Sequence, residues 1–298
     1  MIFAGEFAAL GTAVCWASGS NLFAAAGRRM GAVVLNRLRI TVACVFLGTA
    51  LLITRGSPWP VWATPAQVGL LALSGLIGFV FGDTWYFRSL VSLGPGRAAL
   101  IASLAPLFTT AIAWPVLHET PGPLALIGMT VTLAGIAIVL QPRAGREAPQ
   151  PHGSAAAGVL AGVLGALGQA GGYVLSKMAL RSGLDPLSAT VVRIVAAAAA
   201  VWAIALLQGD VRRSLDALRD RRAASFMVGG AFSGPFLGVT LSLTALKFID
   251  TGVAASITAI YPVLTLLLAS RFHGERLTRR ALAGTLVAVA GVVVLFLR

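Results

Sequence analysis

Residues 78–140 begin Gly78-Phe79-Val80-Phe81-Gly82-Asp83-Thr84-Trp85-Tyr86, and residues 234–296 begin Gly234-Pro235-Phe236-Leu237-Gly238-Val239-Thr240. The two stretches align without a gap at an offset of 156, with 18 of 63 positions identical. The matches include residues that backbone geometry makes costly to replace. Gly78, Gly82, Gly96, Pro106, Glu119, Gly128 and Gly135 fall on Gly234, Gly238, Gly252, Pro262, Glu275, Gly284 and Gly291. Kept spacing of glycines, a proline and an acid is what a duplicated structural unit requires.

The chain is 57% hydrophobic and only 11% charged, which is a membrane composition. Ten apolar runs of about 20 residues, each long enough to cross a ~30 Å hydrocarbon layer as helix, predict an all-α polytopic fold. They cover 5–26, 33–53, 66–92, 96–117, 121–140, 154–177, 186–207, 223–247, 252–272 and 278–297. Residues 1–140 form a first five-helix repeat, 141–153 a connector rich in Pro and Gly, and 154–298 a second repeat. An odd number of crossings per repeat inverts one copy relative to the other. Of 23 basic residues, 17 lie at the odd-numbered connections, which the positive-inside rule assigns to the cytoplasm, with both termini outside.

The net charge of +13 is therefore spent at membrane borders and does not indicate nucleic-acid binding. Cys15 and Cys44 both fall inside spans and read as small apolar groups, not as a disulfide. His118, His152 and His273 form no His-Glu-x-x-His pair, and Asp83 has no second intramembrane acid. An enzyme and a metal site are not expected. The lack of a Gly-x-x-x-x-Gly-Lys loop leaves a gradient, not ATP, as energy source, with no cofactor.

Polar residues inside the spans are the functional candidates, because an amide or hydroxyl in hydrocarbon costs roughly 2–7 kcal/mol unless it is partnered. Span 1 carries Trp16, Ser20 and Asn21; span 6 carries Gln169, Tyr173 and Lys177. Arg39 and Arg193 lie near corresponding ends of spans 2 and 7, and either snorkel to the interface or face a cavity, where they favour a carboxylate. Asp83 lies ~14 Å from the end of span 3 at helical rise. It is a coupling candidate or the partner of Arg39 or Arg88, and its repeat mate is Val239. Trp85, Tyr86, Ser103, Thr240 and Tyr261 complete the candidate cavity wall. Pro106 and Pro262 predict matching kinks in spans 4 and 9. Gly78, Gly82, Gly234 and Gly238, with the pairs Gly128/Gly135 and Gly284/Gly291, predict close helix packing. The glycine stripe of span 6 is either another packing groove or a cavity wall. Glu119 and Glu275 read as structural acids beside Thr120 and Thr278, the expected caps of spans 5 and 10. The stretch 212–222, with five arginines among its residues, reads as a short helix at the lipid surface.

Ten spans in five-plus-five order, Arg-Ile near the start of spans 2 and 7, Pro-centred spans 4 and 9 followed by Glu, and two-glycine spans 5 and 10 together resemble the EamA-like family of the drug/metabolite transporter superfamily. The resemblance covers nearly the whole chain. It implies an alternating-access carrier, often an exporter, of small metabolites such as amino acids across the bacterial inner membrane. It also implies a cavity lined by spans 1, 3, 4, 6, 8 and 9. The small multidrug-resistance branch carries a Glu in the middle of its first helix; here Glu6 stands at its start, so that branch's antiport is not implied. The expected partners are a small-molecule substrate, the lipid bilayer and a coupling proton or ion, and no nucleic acid. A channel, a membrane scaffold and an intramembrane enzyme are the alternatives. Oligomeric state is not encoded in any of these features.

Overall fold

The computed structural model describes residues 3–93, 95–140, 154–273 and 278–297. Within them every regular element is helical. The first half comprises α1 (Ala4–Met30), α2 (Ala32–Arg55), α3 (Pro65–Gly75), α4 (Asp83–Leu93), α5 (Pro95–Ala102), α6 (Ala105–Leu117) and α7 (Pro123–Leu140). The second comprises α8 (Ala155–Arg181), α9 (Pro186–Leu207), α10 (Val211–Asp216), α11 (Arg221–Ala231), α12 (Val239–Phe248), α13 (Thr251–Thr258), α14 (Tyr261–His273) and α15 (Arg279–Phe296). The expected connector, with Arg143, Arg146 and His152, and also Glu275 and Arg276, lie outside the described residues.

Among the described residues eight helical stretches are long and apolar enough to cross a membrane: Val33–Arg55, Pro65–Ser89, Ala98–Leu117, Pro123–Leu140, Ala155–Arg181, Pro186–Leu207, Arg221–Phe248 and Arg279–Phe296. The two others expected from the sequence are helical too. However, α1, at 27 residues, is not among the eight, and the ninth run is divided between α13 and α14.

Local sequence sets the helix ends. Thr64 and Gln67 form a capping box ahead of Pro65. The Asp185 carboxylate accepts the Ser188 N–H at 3.0 Å, and Thr278 accepts that of Ala281 at 3.1 Å. α2 ends at Gly56, whose φ of 76° is left-handed and free of penalty only for glycine. Thr120 does not cap the fifth span, because α7 begins at Pro123.

Two interruptions recur at the repeat offset. Leu76–Gly82 joins α3 to α4 as a π-helical turn, and Phe232–Gly238 joins α11 to α12 in the same way. In each, an N–H reaches five residues back: Asp83 to the Gly78 carbonyl, Val239 to that of Gly234. The expected kinks at Pro106 and Pro262 are full breaks. Residues 103–104 and 259–260 are turns, and each proline stands in the opening turn of a new helix, where its missing N–H costs nothing.

Pairs of helices from the two halves run antiparallel. α2 meets α9 through Trp202 Nε1 donating to Thr41 Oγ1 (2.8 Å), with Arg37 bonded to Ser214 at one end and Arg55 facing Asp185 at the other. α7 lies along α15: Gly135 faces Ala288, Gly291 faces Thr132, and Gly128 faces Leu295. Gly78 and Gly82 face Gly172, Gly168 and Gly165 of α8, while Gly234 faces Gly19 of α1 and Gly238 faces Cys15 and Trp16. Glycine lets backbones approach where lipid supplies no hydrophobic drive for association. At Gly135 an added Cβ would fall 2.2 Å from the Ala288 nitrogen.

The core is apolar, but large apolar side chains also face outward and charged ones lie inside. Val33, Ile53, Trp114, Leu160, Leu207 and Leu286 are exposed, whereas Arg37, Arg39, Ser74, Lys177 and Arg193 are buried.

Candidate functional site

Three charged residues of the interior, Arg39, Asp83 and Arg193, meet beside the first π turn. That turn delivers Asp83 to the start of α4, where its Oδ2 accepts a hydrogen bond from Arg39 Nη2 of α2 at 2.6 Å. Arg39 is further fixed by Nε donating to Asn36 Oδ1 (2.8 Å), one turn earlier on its own helix. Its guanidinium also lies 5.3 Å from the centre of the Phe23 ring of α1. Of the two arginines expected as the partner of Asp83, Arg39 is the one found. Arg88 turns the other way and lies 4.6 Å over Trp85.

Arg193 of α9 approaches the same carboxylate from the other half and is within electrostatic reach of it. It is 1% exposed, lies 4.9 Å over the Phe79 ring, and its Nε and Nη1 have no hydrogen-bond partner among the described residues. Glycines make its space. A Cβ on Gly78 would stand 3.3 Å from Nη2, and one on Gly172 3.4 Å. At Gly75 the Arg193 carbonyl oxygen comes so near that a Cβ would fall 2.2 Å from it.

All three tyrosines of the chain belong to this cluster. Tyr86 and Tyr261, from opposite halves, interact through their hydroxyls, and Tyr173 of α8 interacts with Ser242 of α12 and with Arg193. Gln169 adds its side-chain oxygen beside Gly78. The set is amphipathic, with two guanidiniums, one carboxylate, phenols and aromatic faces. Two positive charges against one negative leave a net charge of +1. Such a set suits an anion or the carboxylate end of a zwitterion.

Other sequence candidates lie elsewhere or are bonded within their own helix. Lys177 sits near the far end of α8, where Nζ donates to the carbonyls of Leu246 and Ile249 (2.8 Å to the latter) and faces Glu119 at 3.6 Å. Trp85 stacks against Phe81 at 6.1 Å on a partly exposed face. Ser20 donates to the Trp16 carbonyl, Asn21 to Ala17, Ser103 to Leu100 and Thr240 to Phe236. Trp16 packs against Gly234 and Gly238.

Glu119 does not act on α7. Its Oε2 accepts the Thr251 N–H (2.6 Å), capping α13 of the other half, while Oε1 faces Lys177 and Arg181, the latter at 3.2 Å. Sequence reasoning passed over Phe23, Asn36, Phe79 and Ser242. The last had a signal, since Ser242 is the repeat mate of Tyr86. Among the described residues no group of three or more His, Cys, Asp or Glu side chains stands close enough to hold a metal ion.

A sequence profile described as the EamA-like transporter family matches residues 3–141 and again residues 156–297. An uncharacterized protein of Pseudomonas aeruginosa is 29% identical over 262 residues, spanning 88% of this chain and 83% of that one. A solved crystal structure superposes with a TM-score of 0.76 at 20% identity, covering 99% of this chain and 96% of the other, which establishes a shared fold.

Proposed function

Because the chain belongs to the EamA-like transporter family, we propose that it is a secondary carrier, working as an exporter, for small carboxylate-bearing metabolites such as amino acids. The observation that carries the cargo class is Arg193. A guanidinium buried without a direct counter-ion costs several kcal/mol, and the nearest carboxylate, Asp83, is already engaged by Arg39. A cargo carboxylate that reaches Nε and Nη1 of Arg193 removes that cost and brings the cluster to neutrality. Phe79, Tyr86, Tyr173 and Tyr261 supply the apolar and aromatic walls for the rest of the cargo.

The transport cycle we infer uses ten crossings as two inverted five-helix repeats in the bacterial inner membrane, with odd-numbered connections in the cytoplasm. Antiparallel pairing of α2 with α9 and of α7 with α15 supports the inversion. So do the contacts at the ends: Arg29–Asp220 ties the first and seventh connections, and Gln67–Ser182 the second and sixth. The halves rock about the breaks before Pro106 and Pro262. Asp83 couples the cycle to protons, since its protonation releases Arg39 to a second cargo oxygen.

Counter-flow into proteoliposomes tests this reading. Preloaded amino acid should accelerate uptake of the labelled compound, while its decarboxylated amine should not, and Arg193→Gln should erase the distinction. Asp83→Asn should abolish pH-gradient dependence with flux retained. Flux that does not saturate, or no counter-flow with any carboxylate, would leave a channel or a scaffold as the better account.

A further inference from the structure

A second polar feature lies apart from the central cluster, where the last turn of α1 meets the first turn of α11. Arg28, Arg29, Arg222, Ala25 and Phe226 line an open cavity of about 500 Å³ at the surface there. The single carboxylate at its edge, Asp220, accepts from Arg29 Nε at 2.6 Å. Arg28 and Arg222 have no acidic partner among the described residues, and Arg222 extends over the Phe226 ring at 5.9 Å. Three guanidiniums against one carboxylate leave a local charge of +2. The floor, Ala25 and Phe226, is apolar.

We propose that this cavity binds the phosphate group of an anionic membrane phospholipid, with the glycerol and first methylenes of the lipid lying on Ala25 and Phe226. Guanidiniums pair with phosphate oxygens through parallel hydrogen bonds and suit this group better than ammonium would. Position favours a lipid over a soluble anion. The helical stretch that contains α11 and is long and apolar enough to cross a membrane runs from Arg221, so a bilayer bordered there would set Arg222 at headgroup level and Phe226, one turn further in, near the first acyl carbons. Because α1 and α11 belong to different halves, a lipid seated here bridges them.

The test compares thermal unfolding of the purified full chain in nanodiscs of phosphatidylcholine alone and of phosphatidylcholine with phosphatidylglycerol. Phosphatidylglycerol raises the unfolding midpoint of the native protein, and the rise is lost in Arg28→Ala/Arg222→Ala. It persists in Arg212→Ala/Arg213→Ala, which removes the same charge from exposed positions on α10. An equal loss in both double variants would reduce the effect to diffuse surface charge and overturn the site. A rise produced by inorganic phosphate in discs of phosphatidylcholine alone would make it a soluble-anion site and overturn the assignment to lipid. The assay needs no cargo, so it stands or falls separately from the transport reading.

Discussion

Replacing Glu119 tests whether its carboxylate fastens the two halves together at the end of the molecule opposite α10. Glu119 and Lys177 are both nearly inaccessible, with side chains 5% and 9% exposed and Oε1 3.6 Å from Nζ. Removing one member of a buried pair costs ~3–5 kcal/mol, chiefly by leaving the other charge uncompensated. Glu119→Gln keeps an acceptor for the Thr251 N–H, and Lys177 keeps two carbonyl acceptors, so the lower end, about 3 kcal/mol, is expected. Arg181 is 46% exposed, and Arg181→Ala should cost under ~1 kcal/mol. Lys177→Met in the Glu119→Gln background should recover much of the loss, since it removes the stranded cation. Denaturant unfolding in one lipid-detergent mixture of the six proteins of two cycles, 119 with 177 and 119 with 181, yields both couplings. A coupling between positions 119 and 177 no larger than that between 119 and 181 would refute the reasoning.

Four further outcomes follow from the packing and charge described. Gly291→Ala places a Cβ 2.3 Å from the Thr132 nitrogen, a backbone atom that cannot swing aside, and should destabilise by ~1–3 kcal/mol in the same unfolding assay. Gly69→Ala, with nothing within 4 Å of the new carbon, should instead be neutral or stabilise by up to ~1 kcal/mol. The hydrogen bond from Arg29 and that from the Ala223 N–H hold the Asp220 carboxyl below its ordinary value. Its contribution is therefore fully present above the unfolded value near ~3.9 and lost as pH falls through the lower folded one, so Asp220→Asn should flatten the acid limb of midpoint against pH. Val239→Asp, which copies Asp83 into the second half, puts a carboxylate among Ile40, Ile194 and Phe236; it should cost several kcal/mol and be read as loss of folded protein on size exclusion.

The repeat was legible because its spacing carries residues whose backbone roles are hard to substitute. What that spacing could not reveal was the degree of interruption. Gly78 and Gly82 read as packing residues, but not as members of a π turn, because the extra residue in such a turn is absorbed without any marker in composition. Pro106 read as a kink within one helix and proved to open a second. The pairing of Asp83 with Arg39 was one of two pairings left open, and choosing between Arg39 and Arg88 needed the rotation of α4, which periodicity over 11 residues does not fix. Lys177, a cavity candidate from its place at the end of span 6, donates instead to the carbonyls at the end of α12, a tertiary contact that the sequence does not encode.

The two halves share their interruptions but not their charges, and that division has a physical basis. A π turn followed by a broken helix is a backbone device, which a duplication can keep in both copies at little cost because glycine and proline enforce it locally. A buried charge is different, since its cost is set by the whole surroundings. Arg39 and Asp83 both lie in the first half and neutralise each other, while Val239, at the position equivalent to Asp83, is 3% exposed in an apolar cluster. Among the described residues Arg193 thus has no carboxylate from its own half beside it, and Asp83 is already engaged by Arg39. One acid between two arginines leaves the seam of the repeats with one guanidinium more than its carboxylates among the described residues, which is the imbalance that the proposed carboxylate cargo would offset.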